Sequence, residues 1–169
     1  MRSYLIGPLT RFGLAVAAVA CLLDQASKLY LLFVFDLADH PLRLGPYFDF
    51  VLTRNTGISY GLFQTQGAIG QWLLLGFKAL AVLLLWLWLA RSRDRLTALS
   101  LGLIVGGAVG NAIDRLAYGW VADFVFFHVF TATWQFRWYV FNLADVAIVA
   151  GVIGLLYESL AGERAQKTP

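Results

Sequence analysis

The chain has 169 residues, 60% of them hydrophobic and only 14% charged, with a mean hydropathy of +0.71. A soluble domain carries about a quarter charged residues, so this composition excludes an ordinary water-soluble globule and indicates an integral membrane protein. The formal net charge of +3 comes from 13 basic and 10 acidic residues that form no single patch, and no nucleic acid partner is expected.

Arg2 and Arg11 precede an apolar run that continues to Phe35. It is too long for the apolar region of a secretory signal and ends in no small-residue cleavage site, so it reads as a first span, Phe12–Phe35. The single cysteine, Cys21, has no disulfide partner and no metal-ligand spacing around it, and reads as a core or lipid-facing residue. A polar and aromatic loop, Asp36–Ile69, follows; within it Tyr47–Thr53 (YFDFVLT) alternates aromatic and β-branched residues as a short strand does. Gly70–Ala90 reads as a second span, with Lys78 in its middle as a snorkelling or locally paired charge. The turn Arg91–Arg95 (RSRDR) leads to a third span, Leu96–Leu116, in which Gly102, Gly106 and Gly110 form a small-residue face suited to close packing within the bundle. A second aromatic loop, Ala117–Arg137, precedes the fourth span, Trp138–Leu160, and the strand-like Trp134–Phe141 (WQFRWYVF) merges into it. Each span has the roughly 20 apolar residues that a bilayer core requires. No repeat or second domain interrupts residues 1–169.

Arg2, Arg11, Arg91, Arg93, Arg95, Arg164 and Lys167 fall on one side of this arrangement, and only Arg43, Arg54 and Arg137 on the other. By the positive-inside rule both termini are cytoplasmic and the two longer loops face outward. At about 1.5 Å of rise per residue, Asp24 stands about 18 Å above the inner end of its span, Asn111 and Asp114 about 22–27 Å, and Asp145 about 22 Å. Spans one, three and four therefore bring carboxylates to a similar level in the outer half of the membrane. Asn111, Asp114 and Arg115 share one helix face, as do Asn142 and Asp145, and Asp24 and Lys28. Asp123 lies just beyond the third span, where Gly119 permits a tight turn that brings it back over the bundle.

Charged groups within a membrane need a partner or a purpose. Two carboxylates held close share one proton, so that one activates water while the other protonates a carbonyl oxygen. That is the chemistry of an aspartic peptidase, and it calls for no metal or cofactor. Ser27 and Lys28 are adjacent, point about 100° apart on a helix, and make a poor serine–lysine pair. His40 and His128 fall in the outer loops without metal-ligand spacing and read as solvated or interfacial. Two other readings accommodate the same acids. An ion-coupled transporter would also embed aspartates, but these gather at one mouth and the chain has no internal repeat. A scaffold glued by interhelical hydrogen bonds explains Asn111 or Asn142, but not two acids at one mouth without matching bases.

Five segments carry a family resemblance: LDQASK (Leu23–Lys28), RNTGISYGLF (Arg54–Phe63), GGAVGNAIDR (Gly106–Arg115), VADF (Val121–Phe124) and FNLAD (Phe141–Asp145). In this order, and with their connecting spans covering nearly the whole chain, they resemble the blocks of the lipoprotein signal peptidases, or signal peptidases II. The resemblance implies an all-α membrane protein, a four-helix transmembrane bundle with a small extracytoplasmic β platform and a mobile flap from the outer loops. It implies an aspartic endopeptidase of the bacterial cytoplasmic (inner) membrane, with its active site near the outer face. Its substrate would be a diacylglyceryl-modified prolipoprotein, cut just before the lipidated cysteine. By the family pattern Asp123 and Asp145 form the catalytic dyad, and Asp24, Asn55, Asn111, Asp114, Arg115 and Asn142 bind or orient around it. The pattern gives Lys78 no role. A monomer in contact with membrane lipid is expected, with no cofactor and no metal.

Overall fold

In a bilayer core no water satisfies backbone N–H and C=O groups, so the apolar runs are committed to helix. The structure, a computed structural model, describes residues 5–57 and 68–167; side chains at 68–75, 77, 78 and 162–167 lie outside that description. The expectations for Lys78, for residues 58–63 of the RNTGISYGLF block, for a flap in that loop, and for the side chains of Arg2, Arg164 and Lys167 therefore fall outside the described residues.

Helix α1 spans Thr10–Leu29 and continues into a π-helical turn, Tyr30–Val34. Helix α2 spans Ala68–Arg91, α3 spans Arg95–Tyr118 and α4 spans Leu143–Lys167. Among the described residues three helical stretches are long and apolar enough to cross a membrane: Thr10–Val34, Arg95–Tyr118 and Leu143–Ala161. In α2 the described apolar stretch is the shorter Ala79–Arg91.

Helix α3 is the centre of the bundle, since 56% of its apolar window is buried against 22% for α1 and 11% for α4. It begins at Asp94, whose carboxylate accepts hydrogen bonds from the Thr97 backbone N–H (2.7 Å) and hydroxyl (3.1 Å), a side-chain N-cap. It ends at Gly119, left-handed at φ 79°, whose N–H donates to the Arg115 carbonyl at 3.0 Å. Along its length the glycine face meets α1. A Cβ at Gly102 would lie 2.5 Å from the Gly13 carbonyl oxygen, one at Gly106 2.5 Å from that of Ala17, and one at Gly110 2.6 Å from Asp24 Oδ2. The small residues thus serve packing within the chain. Large apolar side chains such as Val19 and Leu22 on α1 and Val149, Ile153 and Leu156 on α4 point outward and stay exposed.

The outer segments form a four-stranded antiparallel sheet in the order β1 (Leu42–Arg43), β2 (Phe48–Asn55), β3 (Val121–Phe130) and β4 (Gln135–Arg137). The strand expected at Tyr47–Thr53 is β2. Its register on β3 shifts between the pairs Phe50↔Val125 and Thr53↔Asp123, an irregularity that sets Asn55 near Asp123. Leu31 and Leu37, after α1, pack with Phe124 and with Phe50 and Leu52, seating the sheet on the end of the bundle.

Two expectations are corrected. The fourth helix does not begin at Trp138. The Trp138 N–H donates to the Phe127 carbonyl (2.9 Å), and Val125 and Phe141 exchange backbone hydrogen bonds (2.8 and 3.0 Å), so this stretch belongs to the sheet. The helix starts after Asn142, whose Oδ1 accepts from the Asp145 N–H (3.0 Å) while Asp145 Oδ2 accepts from the Asn142 N–H (3.2 Å). This reciprocal pair is a capping box, with aspartate in the place of the usual Glu or Gln. The second correction is His128, which is buried at 6% exposure, not solvated. Its Nε2 lies 3.0 Å from Asp49 Oδ2, and its ring stacks 4.6 Å from that of Phe130. His40 is exposed, as expected.

Gly106→Ala tests the close approach of α1 and α3. A methyl 2.5 Å from a backbone oxygen forces the helices apart, and overpacking of this kind costs about 1–3 kcal/mol. The midpoint of thermal unfolding in detergent is expected to fall; an unchanged midpoint contradicts the packing.

Candidate active site

Three structural edges converge where α3 ends, α4 begins and β3 leaves α3. Asp123 is on β3, held back over the bundle by the turn at Gly119, and is only 2% exposed. Asp145 is half-buried in the first turn of α4. There its Oδ2 accepts the Asn142 N–H at 3.2 Å.

The two acids are joined through amides. Asn142, fully buried, donates through Nδ2 to Asp123 Oδ1 (2.6 Å) and to Asn111 Oδ1 (3.1 Å). Asn111 in turn donates through Nδ2 to Asp145 Oδ1 at 3.0 Å. Asn55 donates to the other oxygen of Asp123, Oδ2, at 2.9 Å, and its own Oδ1 accepts from the Gly57 N–H at 3.0 Å. Each carboxylate oxygen of the pair therefore receives an N–H.

The remaining expected residues form a layer behind this pair. Asp24, completely buried, accepts from the Ala144 N–H (2.9 Å) and from Lys28 Nζ (2.7 Å), tying α1 to the start of α4. Asp114 accepts from the Ala122 N–H (3.1 Å), which fixes the strand beside Asp123, and pairs with Lys28 at 2.9 Å. Arg115 makes no ion pair with these acids; its Nη2 donates to the Gly57 carbonyl at 2.6 Å and secures the end of β2.

Six expected orienting residues thus surround Asp123 and Asp145, and two further residues join them. Lys28, 2% exposed, reaches Asp24, Asp114 and Asn111 Oδ1 (3.0 Å). Gln25 donates to the Gly110 carbonyl (3.0 Å) and to Asp114 Oδ1 (2.8 Å). Sequence spacing had marked Lys28 only as a partner of Asp24, and nothing in it marked Gln25, because their other partners lie on α3.

Burial pushes the Asp123 carboxyl up to about 6; the nearby Asp145 charge adds to the rise, and the amides of Asn55 and Asn142 oppose it. Beside Asp145 opens a cavity of about 390 Å³, lined by Trp138, Tyr139 and Phe141 from the edge of the sheet and by Val146, Val149 and Ile153 along α4. Among the described residues Asp145 is the one carboxylate in its lining.

A family model described as signal peptidase (SPase) II matches residues 16–161. The chain belongs to the signal peptidase II family. Among its relatives are proteins named lipoprotein signal peptidase from Nitrobacter hamburgensis, 59% identical over 94% of this chain and 98% of the relative, and from Rhodopseudomonas palustris strain TIE-1, 56% identical over the same shares. Two solved structures, described as bacterial membrane enzymes determined by the in meso method at 2.3 and 1.9 Å, share the fold with TM-scores of 0.73 and 0.70. Both are 20% identical to this chain and cover 94% of it, over 92% and 98% of their own lengths. Membership in this family makes the chain a peptidase, and its apolar helices make it a membrane protein.

The raised Asp123 pKa has a consequence for stability. A carboxyl whose folded value lies near 6, above its ordinary 3.8, stabilises the fold fully only below the ordinary value, and that contribution is lost as pH rises through the folded one. Asp123→Asn removes this loss. Its unfolding midpoint relative to the parent is expected to move in the variant's favour between pH 4 and pH 8; a difference constant with pH contradicts the shift.

Proposed function

We propose that the chain is a membrane-embedded aspartic endopeptidase that removes the signal peptide from diacylglyceryl-modified bacterial prolipoproteins, cutting just before the lipidated cysteine. The observation that carries this reading is the Asn142 amide, which hydrogen-bonds Asp123 directly and Asp145 through both its own Oδ1 and Asn111. Burial pushes the Asp123 carboxyl up to about 6, so Asp123 keeps a proton up to that pH.

With one proton on the pair, the ionised carboxylate takes a proton from water as the water oxygen attacks the scissile carbonyl carbon. The protonated carboxyl gives its proton to the carbonyl oxygen. When the tetrahedral intermediate collapses, the carbon–nitrogen bond breaks and the leaving amine takes the proton gained from water. The oxygen-bound proton returns to the dyad, which again holds one. The products are the signal peptide with a new carboxyl group, which keeps the second water proton, and the lipidated cysteine with a free amine. Asn55, Asn111 and Asn142 hold the two carboxyls, Asp24 and Asp114 fix the backbone on either side, and Arg115 secures the end of β2.

The apolar cavity beside Asp145 supports a substrate that arrives from lipid, since it is continuous with the exposed apolar face of α4. The relatives' name, lipoprotein signal peptidase, supports the same substrate class. We read the chain as a monomer of the cytoplasmic (inner) membrane with α2 as the fourth span. The basic turn Arg91–Arg95 and both termini are then cytoplasmic, and the dyad is near the outer face.

A gel-shift assay with a purified diacylglyceryl precursor and its unlipidated form tests this. The parent is expected to cut only the lipidated form. Asp123→Asn and Asp145→Asn are each expected to lower kcat by about 10³-fold or more while the protein still folds. Cleavage of both precursors alike, or activity retained in either variant, contradicts the reading.

A further inference from the structure

We propose that Lys28 is a positioning residue for the peptidase reaction, its ammonium aiming Asn111 so that the amide N–H of Asn111 holds Asp145. The inference rests on the dyad reading above and adds a residue to it.

Burying an ammonium is costly unless it is paired and hydrogen-bonded. Lys28 has three N–H donors and three acceptors in reach: Asp24 Oδ2 at 2.7 Å, Asp114 Oδ2 at 2.9 Å and Asn111 Oδ1 at 3.0 Å. Two carboxylates already exceed its charge, so the third contact, to a neutral amide, is not needed for neutralisation. It has a directional consequence instead. Lysine donates and never accepts, so the Asn111 oxygen must face α1 and its Nδ2 must face Asp145 Oδ1, at 3.0 Å. The reversed amide would set an oxygen against a carboxylate and an N–H against an ammonium.

The same Asn111 oxygen accepts from Asn142 Nδ2 at 3.1 Å, and Asn142 Nδ2 also donates to Asp123 at 2.6 Å. The Asn142 orientation is independently set by the Asp145 N–H donating to its Oδ1. Both amides therefore turn their N–H groups toward the two acids, with a fixed donor at each end, and hydrogen bonds in such a chain polarise one another. Lys28 itself is held against the backbone, because Asp24 also receives the Ala144 N–H and Asp114 the Ala122 N–H.

Among the described residues the charged groups facing this network are Asp24 on α1, Asp114 and Arg115 on α3, Asp123 on β3 and Asp145 on α4, with neutral Asn55 on β2. The Lys28 charge also draws Asp123 downward, against its burial. Its removal therefore makes Asp123 harder to deprotonate and moves the limb of the pH profile that Asp123 sets to higher pH.

Lys28→Met, Asp24→Asn and the charge-matched Asp24→Asn/Lys28→Met are assayed on the diacylglyceryl precursor beside the parent and Asp145→Asn. Lys28→Met is expected to lose about tenfold or more in kcat against the parent, and the double variant as much against Asp24→Asn, each with KM within about twofold; in Lys28→Met the limb of the pH profile that Asp123 sets rises by about half a unit or more. The double variant removes the cation together with its anion, so a residue that merely balances charge would leave the double variant's kcat at that of Asp24→Asn. That result in a folded double variant overturns the proposal, and so does failure of both Lys28 variants to fold, which would make Lys28 a requirement of assembly. An inactive parent, or an active Asp145→Asn, would instead overturn the dyad reading.

Discussion

The side chain of Asn142 is the contact on which the rest of the site depends. It is fully buried, and each of its polar groups is committed: Nδ2 to Asp123 and Asn111, Oδ1 to the Asp145 N–H, the backbone N–H to Asp145 Oδ2, and the carbonyl to the Val146 N–H. One residue thus ends the sheet connection, starts α4 and links the two acids. A buried amide left unpaired costs about 1–3 kcal/mol per group, so a displacement of any one partner is felt by all. The capping box that a helix needs at its start is here the same set of bonds that holds the candidate dyad.

This economy depends on close approach elsewhere. Glycines on α3 let α1 come near enough for Asp24 and Lys28 to meet Asp114 and Asn111, and Gly110 leaves the space that Asp24 Oδ2 occupies. The bundle is apolar outside and ionic inside, the reverse of a soluble domain. Asp24, Lys28 and Asp114 are satisfied by one another, by side-chain amides and by backbone N–H groups. The sheet then covers the polar end, bringing Asp123 from above through β3 and Asn55 through the register shift in β2.

Much of this was legible in the chain. Long apolar runs mark the helices, alternating aromatics mark β2, and the small-residue face marks the α1–α3 contact. The family blocks name Asp123 and Asp145. What was hidden has physical reasons. Trp138–Leu160 is predominantly apolar, so hydropathy runs the fourth span through a stretch that is hydrogen-bonded to β3. The N-x-x-D pattern at Asn142–Asp145 did carry a helix-start signal, masked by the apolar residues on both sides. The Asp49–His128 pair is set by strand register, and the bonds of Lys28 and Gln25 to α3 by helix packing. Neither is a property of local spacing.

The reaction proposed above turns on one proton held between Asp123 and Asp145. Infrared difference spectroscopy of the carboxyl C=O stretch reads that proton directly, in detergent or in lipid. A protonated-carboxyl band is expected in the parent at pH 5, fading as pH rises through about 6 and absent in Asp123→Asn. A parent with no such band at pH 5, or the same band in Asp123→Asn, would contradict it.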